Sequence, residues 1–526
     1  MRYRALGLCL LILAISGCTP TARLSGPVTR VDRLPEAGLR IGFVADSQLQ
    51  TRSNYNRVFG YRDKLADFIV ETAIRPPALD WAARSMLRSQ LDQLRIQGAK
   101  AIFYLGDGAN NGCYDELALG FQDRAAPGPN QQGVLALLDE FRTSAGIPVF
   151  FILGNHDVLG AGSSAFHEPR GDFCEATVSP NRSVAKFEAM KLTDSFNRGN
   201  AAFAGAWRYH SNWDAASLQS LCGTDASVQH RTRGCYLAAT VDYAQGEKTA
   251  QFLLLDTNDW ADVSGSTFAG FQQEGIRGAM SFRDDAKRQI VSQTTWFDGN
   301  ASDRRDLRVG LSHYDVASLT KHLPVVGRVS AKTQMYMQLF TRPAGETVNE
   351  ASQDLAYVVS GHTHVREIDG KLFTFKMDCG PILCARTNRF GIRELNVGST
   401  TDYSNYATIA QFDFGKVPAG NLSYRRVESE PEGCDTIWTE VGDYRFPNAL
   451  QGKDQGWAAI GIDRGNRHSY DRFVLADVQR LWANLDAYAG TDAHKANCIG
   501  LYAAAVEAGV DPSKRLPPKP KRRWGR

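Results

Sequence analysis

Five short apolar runs, far apart in the chain, each end close to a polar residue that can bind a metal ion. The runs cover 41–45, 101–105, 149–153, 307–311 and 356–359. The polar residues just beyond them are Asp46, Asp107, Asn155, His313 and His362. Each run has the length and apolar content of a buried strand. Because ligands in layered α/β folds collect at the carboxyl ends of strands, these segments can converge on one site.

The patterns between these runs indicate a layered α/β fold. Helical periodicity at 80–97 and 133–144 separates the first three runs, which gives a β-α-β-α-β order. A strand pair at 236–243 and 249–256 is joined around Gln245-Gly246. Further elements are predicted as a helix at 282–297 and strands at 372–376, 393–397 and 408–414.

The first residues are predicted to be an export signal. Arg2 and Arg4 precede the apolar stretch 5–15, which is too short to span a bilayer. The segment Ile15-Ser16-Gly17-Cys18 resembles a bacterial lipobox, in which the cysteine becomes the lipidated first residue of the mature protein. A plain signal peptide is the alternative. Lipidation of Cys18 would place the protein in the cell envelope, in the periplasm or at the outer membrane.

The remaining chain divides into four parts by composition. Residues 18–38 are predicted to be a tether, and residues 39–426 to be the main folded domain, with a long insertion at about 158–235. Residues 427–510 form a C-terminal accessory region with two helical patterns. The tail at 511–526 holds seven basic side chains among prolines, so it either attracts an anionic envelope polymer or is simply solvated.

The cysteines favour an oxidising compartment. Of ten cysteines, Cys9 leaves with the signal and Cys18 carries the proposed lipid, so eight remain. Buried free thiols are the alternative. The preferred pairs are Cys222 with Cys235 and Cys379 with Cys384, and a Cys434–Cys498 pair would close the C-terminal region. The formal net charge of +3 indicates no nucleic-acid partner.

The ordered motifs resemble those of calcineurin-like metallophosphoesterases. The family pattern runs D-x-H, G-D, G-N-H-D/E, a lone H and G-H-x-H, and all but one letter occurs here in that order over about residues 40–415. The strongest matches are Gly154-Asn155-His156-Asp157 and Gly361-His362-Thr363-His364. The resemblance implies a four-layer αββα sandwich of two mixed sheets with a centre of two divalent metal ions, which would be Mn, Fe or Zn.

The resemblance also implies a role for each motif residue. Asp46 and His364 would hold one metal, and Asp107 would bridge to the other. The second metal would be held by Asn155, His313 and His362. Such a pair activates a hydroxide for attack on phosphorus. His156 would stabilise the transition state and protonate the leaving alkoxide, and Asp157 would orient His156 through a hydrogen bond.

Gln48 departs from the family pattern, because a histidine ligand is usual at its position. An amide oxygen is a weaker donor than an imidazole and favours ions that accept oxygen ligands, such as manganese. Asn110 is a candidate for contact with the substrate phosphate, and the alternative is that it is an ordinary loop residue. The segments 256–258 and 396–399 also end strands, and turn-forming or strand-capping roles are preferred for them.

Two functions fit these features. The first is an exported, membrane-anchored phosphoesterase that hydrolyses a phosphomonoester or a phosphodiester. The second is a noncatalytic envelope-binding lipoprotein that retains the scaffold, with Gln48 as a sign of lost activity. The intact motifs around His156 and His362 favour the enzyme.

Overall fold

The computed structural model describes the main domain in segments. These are residues 23–24, 26–49, 83–110, 112–122, 132–158, 184–203, 205–222, 235–257, 293, 296–297, 299–300, 305–315, 355–362, 370, 372–378, 387–400, 406–413 and 421–428. The signal with Cys18, most of the C-terminal region and the basic tail lie outside them. No helix within these segments is long and apolar enough to cross a membrane.

Two mixed β-sheets form the centre of the fold. The strands are β1 (Arg23–Leu24), β2 (Val28–Arg30), β3 (Leu39–Val44), β4 (Ala101–Tyr104), β5 (Val149–Phe151), β6 (Trp207–Ser211), β7 (Ala239–Gln245), β8 (Lys248–Leu255), β9 (Leu307–Ser312), β10 (Leu355–Ser360), β11 (Leu372–Asp378), β12 (Thr387–Asn396), β13 (Tyr406–Phe412) and β14 (Leu422–Glu428). The six-stranded sheet has the order β2-β14-β13-β3-β4-β5. The eight-stranded sheet has the order β1-β12-β10-β9-β8-β7-β6, and β11 pairs with β12.

The helices are short and lie between the strands in sequence. They are α1 (Ala83–Ile96), α2 (Tyr114–Leu117), α3 (Val134–Ala145), α4 (Lys186–Arg198), the 3-10 helix Gly199–Phe203 and α5 (Ala215–Cys222). In α1, Leu87, Leu91 and Leu94 recur at helical spacing, are fully buried and pack against the six-stranded sheet. This face of the sheet is therefore covered by helices.

The core between the two sheets is largely aromatic. Phe43 and Phe103 alternate along their strands with residues that face the helices, as the two-residue period of a strand requires. Phe103 packs at 5.2 Å, centroid to centroid, from Phe150 of its own sheet and at 4.8 Å from Phe252 of the other sheet. The predicted α/β sandwich of two mixed sheets is therefore confirmed.

The strand directions bring seven carboxyl ends to one region. In the six-stranded sheet, β3, β4 and β5 run parallel. In the other sheet, β8, β9, β10 and β12 run parallel. Backbone hydrogen bonds link the two sheets where these strands end: the Thr400 N–H donates to the Ala45 carbonyl at 3.0 Å. The loops that carry the predicted ligands therefore meet.

Two parts of the predicted domain organisation differ from the structure. Residues 23–24 and 28–30, assigned to the tether, form β1 and β2 and pair with β12 and β14. Strands this short carry no detectable periodicity. Within the predicted insertion, β6 pairs with β7 as a regular member of the large sheet. Its sequence, Trp207–Ser211, mixes exposed polar and buried apolar residues, so composition concealed it.

The disulfide predictions are confirmed where the structure describes them. Cys222 is bonded to Cys235. Cys113 is also in a disulfide. The Cys379–Cys384 and Cys434–Cys498 pairs lie outside the described residues, as does most of the predicted helix at 282–297.

Two asparagine side chains cover the outer edge of β5. Asn197 accepts a hydrogen bond from the Phe151 N–H at 2.8 Å and donates one to the Phe151 carbonyl at 2.9 Å. Asn200 makes the same pair of bonds with Val149, at 2.9 and 2.6 Å. A side-chain amide presents a donor and an acceptor as a backbone peptide does. The last strand of the sheet is therefore satisfied without a further strand.

Replacing Asn197 should destabilise this edge. In Asn197→Ala, the buried N–H and carbonyl of Phe151 lose their partners, so we expect the free energy of unfolding to fall by about 1–3 kcal/mol in urea denaturation. Asn300→Ala, at an exposed asparagine, should change it by less than about 0.5 kcal/mol. Equal stability of the two variants would contradict the edge-covering role.

Candidate metal centre

Four potential ligand atoms converge around the His313 ring. Its Nε2 lies 2.8 Å from Oδ1 of Asn155, 3.2 Å from Oδ2 of Asp107 and 3.2 Å from Nδ1 of His362. These four residues follow β4, β5, β9 and β10, so both sheets contribute. The structure therefore brings together four residues that the sequence placed in one site.

The tautomer of His313 suits a metal ligand. Its Nδ1 lies 2.8 Å from the Leu105 carbonyl oxygen, which can only accept a hydrogen bond. The proton of the neutral ring therefore belongs on Nδ1, and the Nε2 lone pair points into the cluster. A backbone carbonyl behind the ring is the usual way in which proteins orient a metal-binding histidine.

Asp107 is the carboxylate that the other side chains share. Its Oδ1 accepts a hydrogen bond from the His156 N–H at 2.8 Å. Its Oδ2 lies 3.5 Å from Nε2 of Gln48 and 3.9 Å from Nε2 of His156. Burial alone would raise the pKa of the Asp107 carboxyl. Without a metal ion, the positively charged forms of the His313 and His156 rings outweigh burial and hold that pKa below its usual value. Asp107 is therefore ionised.

The backbone of the predicted ligands is strained. Among the described residues, four that are not glycine have positive φ: Asp46 at 55°, Gln48 at 47°, Asp107 at 57° and His362 at 65°. All four were predicted from sequence as metal ligands. Each such conformation costs on the order of 1–3 kcal/mol, and strain of this kind concentrates at functional sites because the surrounding structure enforces it.

Two glycines allow the loops after β4 and β5 to touch. A Cβ on Gly154 would collide with the backbone N of Asp107, and a Cβ on Gly106 would lie 2.6 Å from the Gly154 N. Gly106 also has a φ of 90°, which favours glycine. The glycines of the G-D and G-N-H-D motifs are therefore required by this close approach.

The first predicted metal position, that of Asp46, Gln48 and His364, is described only in part. Asp46 Oδ2 accepts a hydrogen bond from the His362 N–H at 3.0 Å, which joins the two sheets. Gln48 is fully buried, and its Oε1 has no hydrogen-bond partner among the described residues. A buried amide oxygen in this state is suited to a cation. His364 lies outside the described residues, so its part in this position stays a prediction.

The predicted hydrogen bond between the side chains of His156 and Asp157 is wrong. The Asp157 carboxylate instead accepts three backbone hydrogen bonds, from the N–H groups of Asp107 at 2.9 Å, Ala109 at 2.8 Å and Gly154 at 2.7 Å. The His156 Nδ1 lies 2.8 Å from the carbonyl oxygen of Asn110. Adjacency in sequence did not reveal that the two side chains point in different directions. Burial and the nearby Asp107 raise the pKa of Asp157 to about 7.

Asn110 thus acts through its backbone. Its N–H donates to the buried carboxylate of Glu116 at 3.1 Å, while its carbonyl holds His156. Its side chain is buried, and Oδ1 has no hydrogen-bond partner among the described residues. A contact between this side chain and substrate stays a prediction. Glu116 was missed, because nothing in its sequence context marks it.

Further residues hold the ligand loops in place. Asn396 Nδ2 donates to the Gly361 carbonyl at 2.8 Å, and the Ser399 hydroxyl donates to the Asp46 carbonyl at 3.2 Å. Both lie in the segment 396–399, for which turn-forming or strand-capping roles were preferred, and these bonds instead reach the loops after β10 and β3. Tyr314, which the sequence did not single out, packs its ring 4.2 Å from the His362 ring.

One other group of ligand-type residues does not form a thiolate site. Cys113, Asp115 and Glu116 place ligand-type atoms within 4.8 Å of one another. Cys113 is disulfide-bonded, so its sulfur is no thiolate ligand.

Comparisons with known proteins give low similarity. No family model and no curated protein matches the chain. A solved structure of PhoD is similar at 12% identity and a TM-score of 0.29; the match covers 71% of this chain and 59%, less than two thirds, of that chain. A solved structure of GAP50, the anchor in the inner membrane complex of Plasmodium, is similar at 10% identity and a TM-score of 0.25. That match covers 75% of this chain and 90% of that chain. Scores this low carry no conclusion about function.

Substituting Gly154 tests the close approach of the loops. Gly154→Ala forces a methyl group against Asp107, so we expect a loss of about 1–3 kcal/mol in the free energy of unfolding, with a parallel loss of bound metal. Gly205→Ala is the control, because the space around Gly205 is open within 4 Å. Urea denaturation and metal analysis of both variants measure the effect. Wild-type stability and metal content in Gly154→Ala would contradict the argument.

Proposed function

We propose that this protein is a metal-dependent phosphoesterase with two divalent ions at the candidate centre. One observation carries the proposal: four of the seven predicted ligands, Asp46, Gln48, Asp107 and His362, have left-handed backbone conformations. A fold that gained nothing at this site would have no reason to keep four strained residues together.

The residues present fit a pair of divalent ions. Asn155, His313 and His362 would hold one ion, and Asp46 and Gln48 with His364 would hold the other, with Asp107 shared. Carboxylate, amide and imidazole donors together suit manganese, iron or zinc. The Nδ1 proton of His313 is already committed to Leu105, and the Gln48 Oε1 is buried without a partner among the described residues.

The protein's own residues supply substrate positioning and a proton. Bound divalent ions polarise a phosphoryl oxygen and lower the pKa of a coordinated water. His156 has 12% of its side chain exposed, whereas the Asp107 side chain is 1% exposed, so His156 lies on the open side of the centre. Its Nδ1 is held by the Asn110 carbonyl, which leaves Nε2 to carry a proton to a leaving oxygen.

Metal content and turnover together test this function. We expect two ions per chain in the purified protein and a large loss in Asp107→Ala, because both positions share that carboxylate. Asp92→Ala, at an exposed aspartate on α1, should keep both ions. His156→Ala should keep both ions but lose about 10²–10⁴ in kcat on a mono-aryl or a bis-aryl phosphate with added Mn²⁺ or Zn²⁺.

The controls separate the possible outcomes. His210→Ala removes an exposed histidine on β6 and should leave turnover unchanged. Full activity in His156→Ala would contradict the proton-donor role. Unchanged metal content in Asp107→Ala would contradict the bridging assignment. A wild-type protein that binds two ions and hydrolyses neither substrate would favour the noncatalytic lipoprotein.

We further propose that the enzyme acts outside the cytoplasm, held by a lipid on Cys18. The disulfide between Cys222 and Cys235, and that of Cys113, support an oxidising compartment. In this location the substrates would be phosphoesters of the envelope or its surroundings, and the basic tail would lie near anionic polymers.

The anchor is tested by fractionation of bacterial cells that express the full chain. We expect the wild-type protein in the membrane fraction and Cys18→Ser in the soluble fraction or retained as the unprocessed precursor, because a serine cannot form the thioether to lipid. Cys9→Ser, within the part removed, is the matched control and should fractionate as wild type. Release of Cys9→Ser, or membrane retention of processed Cys18→Ser, would contradict lipidation at Cys18.

A further inference from the structure

A buried hydroxyl pair joins the loop after β3 to the loop after β4. Tyr104, the last residue of β4, is fully buried, and its hydroxyl accepts a hydrogen bond from the Ser47 N–H at 3.0 Å. The same hydroxyl donates to the Ser47 Oγ at 2.5 Å. The Ser47 hydroxyl in turn donates to the Gly108 carbonyl at 3.3 Å. The Asp107 carbonyl oxygen lies 3.5 Å from the Tyr104 hydroxyl as a second, longer contact. Every hydrogen in this chain of bonds therefore has an acceptor.

The network supplies the hydrogen bond that the backbone cannot. The N–H groups of Asp46, Gln48 and Leu49 donate to carbonyls of the β4 loop at 3.0, 2.9 and 2.6 Å. The N–H of Ser47 lies between them and is instead satisfied by a side chain, that of Tyr104. Ser47 is flanked on both sides by left-handed residues, with φ of 55° and 47°. The Tyr104 hydroxyl therefore supports the loop between two left-handed residues.

We propose that Tyr104 and Ser47 are positioning residues that set the affinity of one metal position, the one formed by Asp46, Gln48 and Asp107. This inference rests on the proposed function. Tyr104 holds the backbone between the first two ligands, and its ring is fixed by stacking on Phe151 at 5.0 Å.

The effect is confined to one of the two positions. The position formed by Asn155, His313 and His362 is organised by other groups, including the Leu105 carbonyl behind His313 and the Tyr314 ring beside His362. Among the described residues, neither the Tyr104 hydroxyl nor Ser47 makes a hydrogen bond to the side chain of Asn155, His313 or His362. Asp107, which both positions share, is held by the Asp157 carboxylate at 2.9 Å and by the His156 backbone N–H at 2.8 Å. Loss of the hydroxyl pair should therefore weaken one binding step and leave the other unchanged.

Tyr104→Phe isolates the hydroxyl. It keeps the stacked ring but leaves the Ser47 N–H buried without its acceptor, so the loop relaxes toward ordinary φ values. Substitutions behind a ligand shell lower metal affinity by about 10–100-fold. We expect the Kd of the first position, that of Asp46, Gln48 and Asp107, to rise by that factor, and the other Kd to stay unchanged. Tyr209→Phe is the matched control, because Tyr209 also stacks on a phenylalanine, Phe150, and donates to a carboxylate, Asp194, at 3.2 Å.

The experiment is a Mn²⁺ titration of the folded full chain, in which the EPR signal of free Mn²⁺ reports binding. Gln48→Ala identifies the step that belongs to the first position. The expected result is a weakened first position in Tyr104→Phe, with both steps unchanged in Tyr209→Phe. Wild-type affinity at both positions, or equal weakening of both, overturns the positioning role. A wild-type protein that binds neither Mn²⁺ in this titration nor Zn²⁺ in its place instead refutes the proposed function, and the inference with it.

Ser47→Ala provides a second, milder test. It keeps the Tyr104 hydroxyl as acceptor for the backbone N–H but removes the Ser47 Oγ, which accepts from that hydroxyl and donates to the Gly108 carbonyl. The Asp107 carbonyl at 3.5 Å is left as the acceptor of the Tyr104 hydroxyl. We expect a change at the same single step, smaller than in Tyr104→Phe. If Tyr104→Phe does not fold, as judged by circular dichroism, Ser47→Ala decides the question, and wild-type affinity in that variant overturns the inference.

Discussion

The buried Asp157 carboxylate holds the centre of the site together. It accepts backbone hydrogen bonds from Asp107, Ala109 and Gly154, and so ties the loop after β4 to the loop after β5. The bonds fix the backbone of Asp107, the carboxylate toward which His156 and His313 point. Because a Cβ at Gly154 has no room against Asp107, the two loops meet in one arrangement. The rest of the centre is built around that fixed carboxylate.

The sandwich makes this arrangement possible at a cost in stability. Four strained residues, two of them aspartates, are held at the meeting point of two sheets. The aromatic core behind them, with Phe103 between Phe150 and Phe252, fixes the strands on which the loops begin. Rigid strands are a better support for ligands than long loops, because small displacements weaken binding. The packing of the core thus determines the geometry of the site.

The sequence predicted the strands and their polar ends well, for a simple reason. Buried strands are recorded as short apolar runs, and the side chain just beyond each run lies at the sheet's edge. The sequence-based prediction failed where the outcome depends on the direction in which a side chain points. Asp157 was expected to hydrogen-bond to His156, but its carboxylate accepts from backbone N–H groups, among them that of Gly154. The carbonyl of Asn110 contacts the His156 ring instead. The strands at 23–24 and 28–30 were missed because two or three residues show no period.

The sequence by itself determined which residue types stand at the strand ends, and with them the set of donors from Asp46 to His362. Tertiary structure decided how they are held: that the Asp157 carboxylate binds backbone N–H groups, which nitrogen of His313 faces the other ligands, and that Tyr104 supports Ser47. Residue type is a local property of the chain. Hydrogen-bond direction depends on groups far away in sequence, such as Leu105 and His313, which are 208 residues apart, so only the folded chain fixes it.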